Sequence, residues 1–198
     1  MSAREELLAA AAELFTTRGY TATTTRGLAE RAGMRQASMY HYVGGKEDLL
    51  AELLESTVTP SLALARTLLA DDTRPAEARL WALCRSDAEL LCAGPHNLGA
   101  LYLLPEVASP RFTGFHQART ALKSAYADLL AATAPCAALP PADLALRTDL
   151  LFALIEGLIL VHRSTPTRPV PAMAAAAADA ALRIAGVPSD RLPALRQP

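Results

Sequence analysis

Cysteine is scarce in this chain of 198 residues: Cys84, Cys92 and Cys136 are its only three. A small odd number excludes a fully paired disulfide framework and points to a reducing compartment. Cys84 and Cys92 stand eight apart, unlike a CxxC pair. His41, His96, His116 and His162 fall beside no cysteine or carboxylate at structural-metal spacing, so no metal is expected. GxSxG, HExxH and phosphate-cradling glycine loops are also missing, which leaves an enzyme without a recognisable nucleophile, base or cofactor cradle. Neither catalysis nor a cofactor is implied. The most apolar stretch, Leu150 to Val161, is cut by Glu156. It is also shorter than the roughly 20 residues of a membrane span. The opening Met1-Ser2-Ala3-Arg4-Glu5-Glu6 is polar and acidic, not the start of a secretory leader. A soluble, cytoplasmic protein with no membrane partner is the expectation.

What is present is apolar and balanced in charge. Apolar residues make up 52%, enough for a sizeable core, and 19 basic residues face 20 acidic ones. The balance is uneven along the chain. Between Arg18 and Lys46 lie Arg18, Arg26, Arg31, Arg35 and Lys46 against Glu30 alone. A small basic face on a neutral protein fits either a nucleic-acid footprint or a solvated helix face.

Proline and glycine divide the chain. All 14 prolines lie at or after Pro60, whereas five of the 10 glycines fall between Gly19 and Gly45. The first segment therefore reads as short helices joined by glycine turns, and the rest as longer helices separated by proline. Leu8, Ala11, Ala12 and Phe15, widened by Leu7 and Leu14, give a first helix over about 2–17, closed by Gly19. The Thr23-Thr24-Thr25 run starts a second helix that ends near Ala32-Gly33, and a third covers about 35–42. Lys46-Glu47-Asp48 opens a long fourth helix toward the sixties. Later helices are expected over 75–92, 96–104, 112–132, 142–163 and 172–185, with Pro105 and Pro110 bracketing a loop and the tail fraying. No sustained period-two alternation appears. The fold class is all-α: an N-terminal three-helix helix-turn-helix domain, then a larger helical domain. The boundaries are 1–48 for the first, 49–190 for the second and 191–198 for a frayed tail.

Two short helices joined by a glycine turn, with a third across them, make a helix-turn-helix unit. Leu28 and Ala29, with Met39 and Tyr40, are expected to face the first helix. Arg35, Gln36, Ser38 and His41 then point outward, where Arg and Gln are the usual readers of base edges in a major groove. Ala37 and Tyr40 belong to the same reading helix. Thr24, Thr25, Arg26, Tyr42 and Lys46 flank it and suit phosphate contacts.

The run Ala11-Ala12-Glu13-Leu14-Phe15, then Gly19-Tyr20, Thr23-Thr24, Leu28-Ala29, Ala32-Gly33, Met39-Tyr40, Tyr42 and Lys46-Glu47-Asp48-Leu49-Leu50, resembles the DNA-binding domain of tetracycline-repressor (TetR) family regulators. The resemblance covers about residues 4–52. Arg35 stands where that family usually has a small hydroxylated cap, Ala37 where glycine is frequent, and Val43 where an aromatic is common. The resemblance implies that the larger helical domain is a ligand-binding and dimerisation domain, and that the chain acts as a homodimer on a palindromic double-stranded DNA operator, released by a small-molecule effector.

In the second part, Trp81, Cys84, Arg85 and Ala88 share one helix face, and Phe112, Phe115 and Tyr126 form another stripe. His96, Asn97 and Tyr102 lie between. As a set they suit a mostly apolar effector pocket with few polar anchors, or plain core packing. The helix around Leu150–Val161 is apolar on nearly every side, so it needs core on one face and a partner on the other. The resemblance assigns dimerisation to the last two long helices, through Phe152, Ile155, Gly157, Ile159, Ala177 and Ala181. The alternative is a helical small-molecule or thiol-based sensor whose N-terminal unit contacts protein rather than DNA.

Overall fold

The computed structural model describes residues 2–196, and among them there is helix but no strand. Ten α-helices follow in order: α1 Ala3–Thr17, α2 Thr25–Arg31, α3 Gln36–Met39, α4 Lys46–Ser56, α5 Thr59–Leu69, α6 Ala76–Cys92, α7 Thr113–Ala131, α8 Pro141–Ser164, α9 Val170–Ile184 and α10 Leu192–Leu195.

Local chemistry sets the head, α1 to α3. Ser2 and Glu5 form a capping box that satisfies the first free amides of α1. Leu7, Ala11, Leu14 and Phe15 bury its inner face, while Leu8 sits at the margin. The Thr24 side chain accepts the Gly27 amide at 3.0 Å and so starts α2. Gly33 turns the chain into α3 at φ +70°, a left-handed conformation that side chains rarely adopt. Met39 and Val43 complete the small core, but Tyr40 does not join it: the residue is 52% exposed. The backbone stays regularly helical for only Gln36–Met39, then tightens through turns to Tyr42.

The expected long fourth helix is two. α4 ends at Ser56 and α5 starts at Thr59, because the Pro60 ring would clash with the carbonyl four residues back in a continuous helix. α4 packs on α1 and also on α7, so it belongs to head and body alike.

The body is built around α6, which packs against α5, α7, α8 and α9. Its contact with α9 is the most extensive in the molecule, since Ala174, Ala177, Ala178 and Ala181 let the two backbones approach closely. The expected helix at 96–104 is a tight 3-10 turn over Leu98–Leu103, and two more turns, Pro105–Ala108 and Pro110–Phe112, replace the expected loop. The tail is docked as far as it is described: Leu192 and Leu195 are buried, and Arg196 pairs with Asp179. Gln197 and Pro198, also assigned to a frayed tail, lie outside the described residues.

Candidate nucleic-acid interface and ligand clefts

The outward side of α3 carries Arg35, Gln36 and Ala37, all exposed, and Ser38, half-buried. His41 and the exposed rings of Tyr40 and Tyr42 continue the same surface. Thr25, at the start of α2, ties this surface together. Its hydroxyl accepts from Gln36 Nε2 at 2.9 Å and from the Tyr40 hydroxyl at 3.5 Å. Gln36 is thereby held in a fixed pose, with its amide oxygen left for another donor. Arg35 starts α3 with no side-chain cap.

The basic cluster is less available than its count suggests. Arg26 is bonded to Glu30 and Arg31 to Glu13, both at the surface. Lys46 Nζ donates to the carbonyls of Tyr20, at 3.0 Å, and Thr23, at 3.2 Å, and lies 4.2 Å from the Tyr20 ring centroid. It clamps the turn between α1 and α2, with one ammonium proton left for an outside acceptor. Thr24 is likewise occupied as a cap.

The residues assigned to an effector pocket are not brought together. Cys84, Ala88, Tyr126 and Phe112 are sealed in the core. Trp81 turns toward α9, where its Nε1 donates to Asp179 at 3.0 Å, and Arg85 stacks on it from the surface while pairing with Glu89. Tyr102 and Phe115 do line a cleft of about 420 Å³ between α7, α8 and the 98–108 turns. Leu103, Val107 and Leu160 give that cleft apolar walls, and a forked Arg119–Glu156 ion pair crosses it. His96 and Asn97 instead face a separate cleft against α1.

Sequence reasoning missed the polar groups at the centre of the body. Asp87, 2% exposed, accepts from Ser61 Oγ at 2.7 Å and from the Tyr126 hydroxyl at 2.8 Å. Burial pushes its carboxyl up to about 6, against the two hydroxyl bonds that pull the other way. Burial also raises the Cys84 thiol well above its ordinary value and the Cys92 thiol to about 11. Protonated, buried thiols are poor nucleophiles, so neither offers a reactive thiolate.

The assigned dimer residues are mostly turned inward. Phe152, Ile155, Ile159 and Ala181 fill the chain's own core, and their burial disqualifies them as an accessible face. Gly157 is partly open, and Ala177 borders an outer groove between α8 and α9. The accessible stripe of α8 is Leu146 (59% exposed), Leu150 (53%), Ala153, Gly157 and Leu160, recurring every three or four residues. A sequence can show that a helix is apolar all round, but not which side its own core takes.

The model of the bacterial regulatory proteins of the tetR family matches residues 7–53, the stretch that builds the head. Over the whole chain, the crystal structure of AmtR from Mycobacterium smegmatis is 44% identical, covering 99% of this chain and 93% of that one, with a TM-score of 0.87. The chain belongs to the tetR family of bacterial regulatory proteins. The transcriptional repressor KstR2 of Rhodococcus jostii is 34% identical over 134 residues, which are 65% of this chain and 64% of the repressor. The match therefore spans just under two thirds of that relative. The structure of KstR2 from Mycobacterium tuberculosis, described as a ketosteroid transcriptional regulator, is 25% identical with a TM-score of 0.70, covering 93% of this chain and 94% of that one. These tetR-family relatives are regulators, not enzymes. Among the described residues no helix is long and apolar enough to cross a membrane.

Proposed function

We propose that this tetR-family chain is a ligand-responsive transcriptional repressor that binds a palindromic operator as a homodimer. The observation that carries the reading is the outward face of α3, where Gln36 is posed by Thr25 beside Arg35, which has no side-chain partner among the described residues. Arg and Gln there suit guanine and adenine edges in the major groove. Arg26, Tyr42 and the remaining proton of Lys46 suit phosphates, which position the head without reading sequence.

One head makes few contacts, so a second must act with it, about 34–36 Å away along the duplex. The exposed stripe of α8 supplies a self-complementary surface for that dimer. Leu146, Leu150, Ala153, Gly157 and Leu160 would pack on their copies, with the alanines of α9 beside them.

A largely apolar effector suits the 420 Å³ cleft. Two of its walls lead to the head. The Tyr102 ring lines the cleft and its hydroxyl bonds Thr57, at the break between α4 and α5, at 2.6 Å. Val107 lines it too, its carbonyl 2.8 Å from His116 Nε2, and the adjacent Glu106 accepts from the Thr21 hydroxyl in the α1–α2 turn. An effector that displaces Tyr102 or Val107 would loosen both links and let α4 swing about Thr57–Val58. Such coupling is bounded by the effector's preference for one state, typically about 1–3 kcal/mol.

Titration against duplexes from the upstream region, at several salt concentrations, tests the reading. Arg26 and Lys46 from two protomers make about four phosphate-facing cations, so log K should fall with log salt at a slope of roughly −4. Arg35→Ala and Gln36→Ala should relax base preference, whereas Lys46→Ala should weaken all duplexes alike. No sequence preference at any salt concentration would refute it.

A further inference from the structure

The apolar cleft is not the largest cavity. A second one, about 560 Å³, separates the head from the body. The last turn of α1 with Gly19 forms one wall, and residues 95–104 with the end of α8 form the other. None of its lining residues is among the proposed DNA contacts, which fall between Arg26 and Lys46.

Its chemistry is one-sided. Arg18, His96, His162 and Arg163 line it, and no carboxylate does. Glu13, outside the lining, is held by Arg31 through two hydrogen bonds and also lies within electrostatic range of His96 and Arg18. Arg18 and Arg163 make no ion pair or side-chain hydrogen bond among the described residues. The floor, by contrast, is apolar: Phe15, Leu101 and Leu104.

We propose that this cleft is a second ligand site and takes a phosphate monoester carried on an apolar body. Two guanidinium groups match the charge of a phosphate dianion and exceed that of one carboxylate. Their planar forks, with two imidazoles, suit its several acceptor oxygens. The volume is far more than phosphate needs and falls in the range of small-molecule sites, so the apolar floor receives the rest of the ligand. Bound there, the ligand touches the turn at Gly19 on one side and the 95–104 segment on the other. It therefore fixes the head against the body. The site stands whether or not the apolar cleft takes an effector.

Calorimetric titration of the full-length protein without DNA, in a phosphate-free buffer at low salt, tests it with phenyl phosphate as the probe. Phenol, benzoate and inorganic phosphate serve as comparisons. Phenyl phosphate should bind at least tenfold more tightly than any of the three. Arg18→Gln and Arg163→Gln should each weaken it at least fivefold, and the double variant should abolish it. Both arginines are exposed and unpaired, so the variants should keep the parent's melting temperature. Arg119→Gln, in the other cleft, should leave the affinity unchanged. Amide exchange should slow at residues 16–20 and 95–104 together. Unchanged affinity in the double variant, or slowing on one wall only, overturns the site. Equal binding of benzoate or inorganic phosphate overturns the ligand class, and no binding at millimolar probe overturns both.

Discussion

Arg35 opens the reading helix from a position where Ser or Thr would satisfy a free amide, and the structure gives it no side-chain cap. A missing cap costs about 1 kcal/mol. Arg35→Ser should therefore stabilise the free protein by about that amount in urea unfolding while reducing discrimination between operator and altered half-sites. A gain in stability with discrimination intact would remove Arg35 from base reading. Asp87 gives a prediction of different character. Folded, it keeps its proton up to about pH 6, whereas an unfolded carboxyl releases it near 3.8. Between those values the native chain binds more protons, so Asp87 makes stability fall as pH rises through the window and then level off. Asp87→Asn should flatten that part of the profile, and the wild-type minus variant difference should change by on the order of 3 kcal/mol across it. At this scale the sequence is legible where a residue acts through its own neighbourhood. A cap within the Thr23–Thr25 run and a glycine turn at Gly33 were readable. The partners of Asp87, Ser61 and Tyr126, lie 26 and 39 positions away on other helices, and no local pattern joins them.

Elements were easier to find than to orient. The proline-bounded spans of α6, α7, α8 and α9 follow from the sequence because Pro141 and Pro171 sit in first helical turns, where their missing amides cost nothing. Pro60, in the first turn of α5, was read past, and with it the break that makes α4 a separate lever. The 98–112 segment, expected as the end of a helix and a loop, is three 3-10 turns instead, held by contacts such as His116 to the Val107 carbonyl rather than by helical periodicity. Orientation decides the dimer prediction. Phe152, Ile155 and Ile159 occupy the inner face of α8, so polar substitutions there should unfold the chain rather than separate subunits. Leu150 lies on the outer stripe at 53% exposure. Leu150→Glu should leave the circular dichroism and melting of the monomer unchanged while sedimentation shifts from dimer to monomer. A dimer that survives this change uses another surface.

For the whole molecule, the question is how a cleft in the body reaches a helix in the head. Among the described residues three side-chain hydrogen bonds or ion pairs cross the junction: Thr21 to Glu106, Arg111 to Asp48, and Tyr102 to Thr57. The first and third start from residues in or beside the cleft wall, and none involves the reading surface itself. Thr57 keeps its bond to the Leu54 carbonyl when Tyr102 is changed, so the break between α4 and α5 survives. A Thr21→Val, Tyr102→Phe double variant therefore removes two links and no core packing. Each hydrogen bond is worth about 0.5–1.5 kcal/mol, so the fold should persist with a small loss of melting temperature. Specific binding needs both heads at one separation, while loose electrostatic binding tolerates many. Freed heads should accordingly lose up to about tenfold in operator affinity, equivalent to about 1.4 kcal/mol, with little change on a scrambled duplex. Competition binding with the two duplexes measures the difference. If both affinities fall alike, the links support the fold without setting the separation of the heads, and the path from cleft to DNA runs elsewhere.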